Sequence, residues 1–368
     1  MRKKILILVG ILLAVSIFWL KQEPEKTSSG VIKIGAALAL SGDAAPWGEV
    51  SKKAAQLAID RINELGGING DKIELVIEDT KSSSKDSVSA VSKLVNVDKV
   101  QAVMITWLDS YPGAESAVPL TIPLFSPDAA VESVNVPVNH PNVFSLWYRT
   151  AAKARVTIGD MVQFGIKRLY VVTLNDAYYA TLRQFLLAEA KKQGVVVVGD
   201  EALNTGDDTR TIVAKMKHEK PDAVFFGSYD DKLSIAFFKR YSELKGGVPM
   251  WGDEFVEQDI SNQNFNPIWL EGVRYYVPAE SSPTFSKAYT DRFGEVPRFS
   301  AQTTYDTVNI LAAYLKAKPK EVSEYMRSTV FDTATYGSVT FDAVGGIVAK
   351  SEAITMKKIV KGKPVSVR

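Results

Sequence analysis

A buried strand, a short polar loop and an amphipathic helix follow one another near the start of the chain, and this succession most constrains the fold. Residues 31–40 are apolar apart from Lys33, which is typical of a strand buried on both faces. Ser41-Gly42-Asp43 then interrupts the run, because Gly permits a sharp turn and Ser and Asp bond to nearby backbone. Residues 49–65 carry apolar side chains at helical spacing. The sequence therefore predicts a strand, a loop that contains Trp47, and a helix.

The same unit recurs along the chain in two runs. A long connection with Pro137 and Pro141 separates them near residue 150. Strands that alternate with helices at this spacing favour a parallel, doubly wound sheet. We therefore predict an α/β protein of two similar lobes, with further strands at 73–78, 100–105, 122–125, 169–174, 195–198, 223–227 and 248–252.

The composition excludes several classes of function. The formal net charge of the 368 residues is +2, and no basic patch indicates a nucleic-acid partner. The chain has no Cys, which excludes disulfides, thiol catalysis and a Cys-ligated metal. The two histidines, His140 and His218, lie in a Pro-flanked loop and a polar helix end, where we expect them to be solvated. We predict no metal and no cofactor.

The N-terminal segment resembles a secretory signal. Arg2-Lys3-Lys4 precedes an apolar run over residues 5–20, slightly shorter than the roughly 17–25 residues of a spanning helix. No small residues that would form a cleavage site follow this run. We therefore expect residues 1–30 to be an uncleaved anchor and linker that tethers an extracytoplasmic protein to the membrane.

Catalysis is not indicated. The sequence contains no G-x-S-x-G, H-E-x-x-H, phosphate-loop or G-x-G-x-x-G motif. Carboxylates at predicted strand ends could hold an acid/base pair, but polar residues in such loops also serve as caps. We predict no catalytic residues among them: Asp79, Asp109, Asp128, Asp176, Asp230, Asp253 and Glu254.

Aromatic residues at strand ends are more informative. Trp47 and Trp107 follow strands of the first run, and Tyr178, Tyr179 and Tyr229 follow strands of the second. Aromatic walls with a few directed polar groups are typical of a small-molecule cleft. A cleft between two lobes that closes on its ligand would bring these side chains together.

Taken in order, these motifs resemble the type I solute-binding proteins of ABC importers, of the branched-chain amino acid (Leu/Ile/Val) kind. Each motif is weak by itself, but their order and spacing together are specific, and the resemblance runs from about residue 31 to the end. The residues that carry it are Ile32-Lys33-Ile34-Gly35, Leu40-Ser41-Gly42, Trp47-Gly48, Ala58-Ile59-Asp60-Arg61-Ile62-Asn63, Gly66-Gly67-Ile68-Asn69-Gly70, Phe125-Ser126-Pro127, Gly227-Ser228-Tyr229, Trp251-Gly252-Asp253-Glu254 and Thr303-Thr304-Tyr305-Asp306.

The resemblance implies roles for residues of the first lobe. The aromatic residue that matches Trp47 caps the ligand. The loop that matches Asp109 and Ser110 binds the ligand's α-carboxylate with a hydroxyl and backbone N–H groups. Asp128 and Ala130 depart from the family pattern of a small residue and a Thr. Asp128 adds a negative charge where a carboxylate would bind, and Ala130 lacks the Thr hydroxyl.

The resemblance also implies roles for residues of the second lobe. Tyr178 and Tyr229 match ligand-facing tyrosines, and Glu254 matches the acid that pairs with the ligand's ammonium. We expect the ammonium half of an amino acid site to be present and the carboxylate half to be altered. Glu254→Gln should then abolish binding of an amine-bearing solute without changing the empty protein, while the neighbouring Asp253 points away.

The resemblance implies two α/β lobes joined by three crossovers. We place the first lobe at residues 31–149 and 278–335 and the second at 150–277 and 336–368. The predicted function is capture, as a monomer, of an amino acid, amide or amine-bearing solute between the lobes for a membrane permease. Two alternatives stay open: a sensor domain that works with a receptor partner, and an enzyme or relic of the fold that binds no ligand.

Overall fold

The structure is a computed structural model that describes residues 30–243, 247–278, 281–298, 300–349 and 354–367. The predicted anchor over residues 1–29 lies outside the described residues. Within the described ranges, no helix is both long enough and apolar enough to cross a membrane.

The first part of the chain builds a parallel five-stranded sheet. Its spatial order is β2-β1-β3-β4-β5, with β1 near the centre and almost fully buried. Apolar side chains at helical spacing hold α1 against this sheet, where Ala55, Ala58 and Ile59 join the core. The elements are β1 (Val31–Leu38), α1 (Ala45–Glu64), β2 (Lys72–Asp79), α2 (Ser84–Asn96), β3 (Ala102–Ile105), β4 (Leu124–Ser126), α3 (Val131–Val134) and β5 (Val143–Ser145), with 3₁₀ turns at Leu108–Ser110 and Ala114–Ala117.

After β5 the chain crosses to a second parallel sheet and repeats the alternation. The strands β8 and β6 are buried along most of their length, as their apolar sequences predict. The elements are α4 (Thr150–Gln163), β6 (Arg168–Leu174), α5 (Ala177–Lys192), β7 (Val196–Leu203), α6 (Thr209–Glu219), β8 (Ala223–Gly227), α7 (Asp231–Ser242), β9 (Met250–Gly252), α8 (Val256–Ser261) and β10 (Arg274–Pro278), with a 3₁₀ turn at Pro267–Leu270.

The chain then returns to the first sheet and crosses over once more. Three helices and a small antiparallel sheet, β11-β12-β13, precede two strands that extend the second sheet to the order β15-β14-β10-β9-β8-β6-β7. The elements are α9 (Pro283–Phe293), α10 (Ala301–Ala317), α11 (Val322–Ser328), β11 (Phe331–Thr333), β12 (Gly337–Phe341), β13 (Ile347–Ala349), β14 (Ile354–Val360) and β15 (Lys363–Ser366).

The predicted fold class is confirmed: two doubly wound α/β lobes are joined by three crossovers, which follow β5, β10 and β13. The assignment of residues 336–349 to the second lobe is wrong. The Phe341 ring lies 5.4 Å from that of Phe125 and 5.5 Å from that of Phe144, in the core of the first lobe. Ser145 at the end of β5 also bridges to Gly346. The small antiparallel sheet therefore belongs to the first lobe.

Candidate functional site

A cavity of about 1050 Å³ lies between the two lobes. Trp47 and Gln302 of the first lobe and Glu254 and Val277 of the second are among its lining residues, with Trp147 from the first crossover. The loops at the carboxyl ends of the strands meet here, as they do in open α/β sheets that bind ligands.

Three aromatic rings from both lobes touch across this cleft. The Trp47 and Trp107 rings of the first lobe are 5.2 Å apart, and Trp107 meets Tyr229 of the second lobe edge-on at 5.7 Å. We call Trp47, Trp107 and Tyr229 the aromatic bridge. Trp47 lies in the first turn of α1 and not in the predicted loop, because Pro46 suits the start of a helix and lets α1 begin early.

The loop after β3 has an unusual backbone that holds Trp107 in place. Trp107 has φ of 72° and ψ of 122°, a conformation that is costly for a residue with a bulky side chain. Its backbone N–H donates to both carboxylate oxygens of Asp128, at 3.2 Å and 3.1 Å. Asp128 thus stabilises the conformation that presents the Trp107 ring to the cleft.

Asp128 is partly buried, and burial raises the pKa of its carboxyl to about 7, although the Trp107 N–H bonds favour the charged form.

The other predicted residues of the first lobe are Ala130, Ser110 and Asp109. Ala130 packs across the lobe boundary into the core cluster of the second lobe and offers no hydroxyl. The Ser110 hydroxyl is buried and hydrogen-bonded to Thr80 at 3.1 Å. Asp109 lies in the 3₁₀ turn Leu108–Ser110. The Ser110 hydroxyl is therefore bonded within the first lobe, and Ser110 is not among the residues that line the cavity.

The polar centre of the second lobe is a buried ion pair. Lys153 on α4 is fully buried, and its Nζ lies 3.1 Å from Glu254 Oε1 and 2.7 Å from the Tyr178 hydroxyl. That hydroxyl donates to the same Glu254 oxygen at 2.8 Å. The ammonium also lies over the rings of Tyr148 at 4.3 Å and Tyr178 at 4.8 Å. The predicted residues Tyr178 and Glu254 are thus brought together, around a lysine that the sequence analysis missed.

A signal for Lys153 was present in the sequence. Helical spacing puts Lys153 on one face with Thr157 and Met161, and all three are buried in α4. A lysine on the buried face of a helix needs an anionic partner, because an isolated charge is costly to bury. Periodicity alone did not identify that partner.

The charge of Lys153 favours the ionised form of Glu254. Burial by itself would raise the pKa of Glu254, but the Lys153 charge and hydrogen bonds lower it below its usual value, so this carboxylate is ionised. Burial and the negative charge of Glu254 raise the pKa of Asp253 well above its ordinary value. Burial and Glu254 likewise raise the pKa of the adjacent Tyr148 hydroxyl.

The expectation that Asp253 points away from the site is wrong. Its side chain is buried and accepts a hydrogen bond from the Tyr179 hydroxyl at 2.7 Å and from the Phe255 backbone N–H at 3.1 Å. Gly227 approaches closely enough that a Cβ there would lie 2.9 Å from Asp253 Oδ2. The two consecutive acids are therefore both inside the lobe: Glu254 is paired with Lys153, and Asp253 accepts hydrogen bonds while burial raises the pKa of its carboxyl.

Other carboxylates at strand ends have structural roles. Asp79 accepts the backbone N–H groups of Leu40 and Lys81, and Asp176 and Asp230 accept backbone N–H groups as N-caps of α5 and α7. The described ranges contain no group of three or more His, Asp or Glu side chains placed to hold a metal ion.

Comparisons with known proteins agree with this geometry. Residues 31–351 match the family described as Periplasmic binding protein. The chain is 26% identical over 352 residues to the Leu/Ile/Val-binding protein BraC3 of Rhizobium johnstonii. This alignment covers 91% of this chain and 93% of that protein. It is also 26% identical over 346 residues to the leucine-, isoleucine-, valine-, threonine- and alanine-binding protein of Pseudomonas aeruginosa, covering 87% of this chain and 88% of that protein.

Solved structures share the fold. The branched-chain amino acid transporter substrate binding protein LivJ of Streptococcus pneumoniae, in complex with isoleucine, superposes with a TM-score of 0.72 at 24% identity, covering 92% of this chain and 100% of that one. A solute binding protein of R. palustris in complex with benzoate superposes with a TM-score of 0.75 at 21% identity. The superposition covers 92% of this chain and 96% of that one. These relatives are substrate-binding proteins, not enzymes. The chain therefore belongs to the periplasmic binding protein family, of the branched-chain amino acid ABC transporter type.

Proposed function

We propose that this protein is the extracytoplasmic solute-binding subunit of an ABC importer, which captures a small solute between its lobes and delivers it to a membrane permease. The observation that carries the proposal is the aromatic bridge, which joins the lobes beside a cavity of about 1050 Å³. A cavity of this order can enclose a small molecule. Three crossovers form a hinge on one side, so the lobes can move apart to admit it.

The proposed mechanism is a shift of population by the solute. The closed form buries the solute against Trp47 and Glu254, whereas the open form exposes it to water, so the solute binds the closed form better. We propose that the permease then recognises the closed form. The solute is a small amino acid-related molecule that bears an amine or an amide.

We propose the following roles for the site residues. Trp47 and Tyr229 supply apolar contact as parts of the aromatic bridge, and Glu254 is one of the polar residues at the cavity wall. Tyr178 orients Glu254, since its hydroxyl donates to that carboxylate. Asp128 acts on the solute through the position of Trp107.

We also propose that residues 5–20 tether the protein, which works as a monomer. The charged residues before this apolar run and the bulky residues Phe18, Trp19 and Leu20 at its end support the proposal. Mass spectrometry of membrane-extracted native protein should give a chain that retains the segment, and light scattering of purified protein should give the mass of one chain. A mature N-terminus beyond residue 20 would contradict the tether.

The test of the capture function is thermal unfolding with a panel of amino acids, amides and amines. A solute at about 100 times its dissociation constant stabilises the folded state by about 2.7 kcal/mol, which gives a clear rise in melting temperature. Small-angle scattering with the same solute should show a more compact particle. A panel in which no small solute stabilises or compacts the protein would argue against solute capture.

A further inference from the structure

We propose that two side chains already occupy the positions where the charged ends of a solute would bind, Lys153 at Glu254 and Asp128 at the Trp107 N–H, and that the cleft therefore binds an uncharged solute that donates a hydrogen bond to Glu254. The inference rests on the proposed function only in taking the cleft as the solute site. It narrows the amine and amide range to molecules without a charge at either end.

The first step concerns cations. Lys153 is fully buried, and Glu254 Oε1 is the carboxylate oxygen that it contacts, at 3.1 Å. The Tyr148 and Tyr178 rings face the same ammonium, so the electron-rich faces of both rings already contact a cation. A solute ammonium brought to Glu254 would lie beside Lys153 in a site with little water, where like charges repel strongly. A second cation is therefore unfavourable here.

The second step concerns anions. The backbone N–H of Trp107, in the first-lobe loop that faces the second lobe, donates to both oxygens of Asp128. A solute carboxylate would have to displace Asp128 from this donor. In the same loop the Ser110 hydroxyl is bonded to Thr80. The Trp107 N–H and the Ser110 hydroxyl, two donors of this loop, are thus bonded within the protein.

The third step concerns what remains available. Glu254 lines the cavity, and its second oxygen, Oε2, is buried without a hydrogen bond of good geometry among the described residues, although the Tyr148 hydroxyl interacts with this carboxylate and lowers its pKa. A buried acceptor without a donor is unfavourable, so a solute N–H or O–H at this position would be stabilising. Trp47 at the same cavity offers an aromatic surface for the apolar part of the solute. An uncharged amide or alcohol with an apolar body meets both requirements.

The first experiment uses four compounds that share one apolar body and differ only in charge. Leucine carries both charges, leucinamide the ammonium, 4-methylpentanoate the carboxylate, and 4-methylpentanamide neither. We expect 4-methylpentanamide to raise the melting temperature of the wild-type protein most, and leucine least. A larger rise with leucine than with 4-methylpentanamide would overturn the proposal.

The second experiment tests the position of the internal ammonium without a natural solute. Lys153→Ala removes the three carbons and the ammonium that propylammonium would replace. We expect the variant to melt at a lower temperature than wild type, and propylammonium to raise the melting temperature of the variant but not that of wild type. Sodium chloride at equal ionic strength is the control. An equal response of both proteins, or a lack of response in a folded Lys153→Ala variant, would overturn the proposal.

A third variant covers the case in which Lys153→Ala does not fold. Lys153→Met combined with Glu254→Gln removes both charges and leaves no stranded ion, so we expect it to fold and to ignore propylammonium. A response to propylammonium in this double variant would overturn the assignment of Glu254 as the amine's partner. Failure of the whole solute panel counts against the proposed function, whereas a preference for leucine counts against this inference alone.

Discussion

At the scale of single residues, the pairing of Lys153 with Glu254 changes what a substitution at Glu254 should do. The sequence suggested that Glu254→Gln would leave the empty protein unchanged. In the structure, this substitution would leave the fully buried ammonium of Lys153 without its counter-ion. We expect the variant to lose about 3–5 kcal/mol of unfolding free energy, measured by urea denaturation.

A surface pair provides the control for that measurement. Glu49 and Lys52 form an ion pair of 3.3 Å in which both side chains are well exposed, at 48% and 43%. Glu49→Gln should change the unfolding free energy by less than about 0.5 kcal/mol. If Glu254→Gln unfolds at the same urea concentration as Glu49→Gln, burial of the Lys153 ammonium does not require Glu254 as its counter-ion.

Asp128 predicts a pH dependence of stability. Its pKa is about 7 in the folded protein, against an ordinary value of 3.8, so the folded state holds an extra proton between these values. The contribution of Asp128 to the free energy of unfolding is therefore full below about pH 4 and is lost as the pH rises through about 7. The free energy of unfolding falls by at most about 1.4 kcal/mol per pH unit in this range.

The difference between wild type and Asp128→Asn isolates this effect. Buried acids such as Asp253 and Asp306 also have raised pKa values, but they are present in both proteins and cancel. We expect the unfolding free energy of wild type to fall relative to that of Asp128→Asn as the pH rises, so that the two curves converge or cross. Urea titrations between about pH 4 and 8 cover the ordinary and the raised pKa of Asp128. Parallel curves would show that Asp128 has the same pKa folded and unfolded.

At the scale of elements, the first turn of α1 acts at the cleft. Trp47 is half-buried there and packs against the core of the opposite lobe. Trp47→Ala should weaken binding of the identified solute by roughly 1–3 kcal/mol, because it removes aromatic contact at the cavity, and should cost little stability. Calorimetry with the solute measures the first effect and thermal unfolding the second.

Trp269 is the matched control, since it is also a half-buried Trp but lies in the 3₁₀ turn after α8, against Phe265 at 5.4 Å. Trp269→Ala should lower the melting temperature more than Trp47→Ala and leave solute affinity unchanged. Equal affinity in both variants would reduce Trp47 to a packing residue.

At the scale of the whole molecule, the aromatic bridge favours the closed arrangement of the lobes. Trp107→Gly together with Trp47→Ala removes two of its three rings, and Gly suits the φ of 72° at residue 107 without strain. We expect the empty double variant to have a larger radius of gyration than wild type in small-angle scattering. Trp269→Ala should scatter as wild type does, and an unchanged curve for the double variant would show that the bridge does not control closure.

The small antiparallel sheet is a second feature of the whole molecule. Arg149, beside the first crossover, forms ion pairs with Glu132 and with Asp342, which follows β12. These contacts attach the sheet to the first lobe near the hinge. Short strands near the end of a chain carry no local signal for the lobe that they join, so the boundary of the lobes could not be read from residues 336–349.

Local patterns in the sequence determined the elements and the class of fold. Apolar runs and helical spacing are properties of neighbouring residues, and they were enough to predict β8, most of α1 and the two-lobed α/β architecture. They also indicated that Trp47, Tyr178, Tyr229 and Glu254 follow strands, since strand ends are local features.

The tertiary structure alone decided the electrostatics of the cleft. Lys153 and Glu254 are 101 residues apart in the chain, and Trp107 and Asp128 are 21 apart, so no periodicity links them. Whether a carboxylate is free to bind a solute depends on which charge folding places beside it, because desolvation and distance set the interaction of two charges. The sequence thus determined where the cleft lies, and the packing of α4 against the second sheet decided that Glu254 already has a cation.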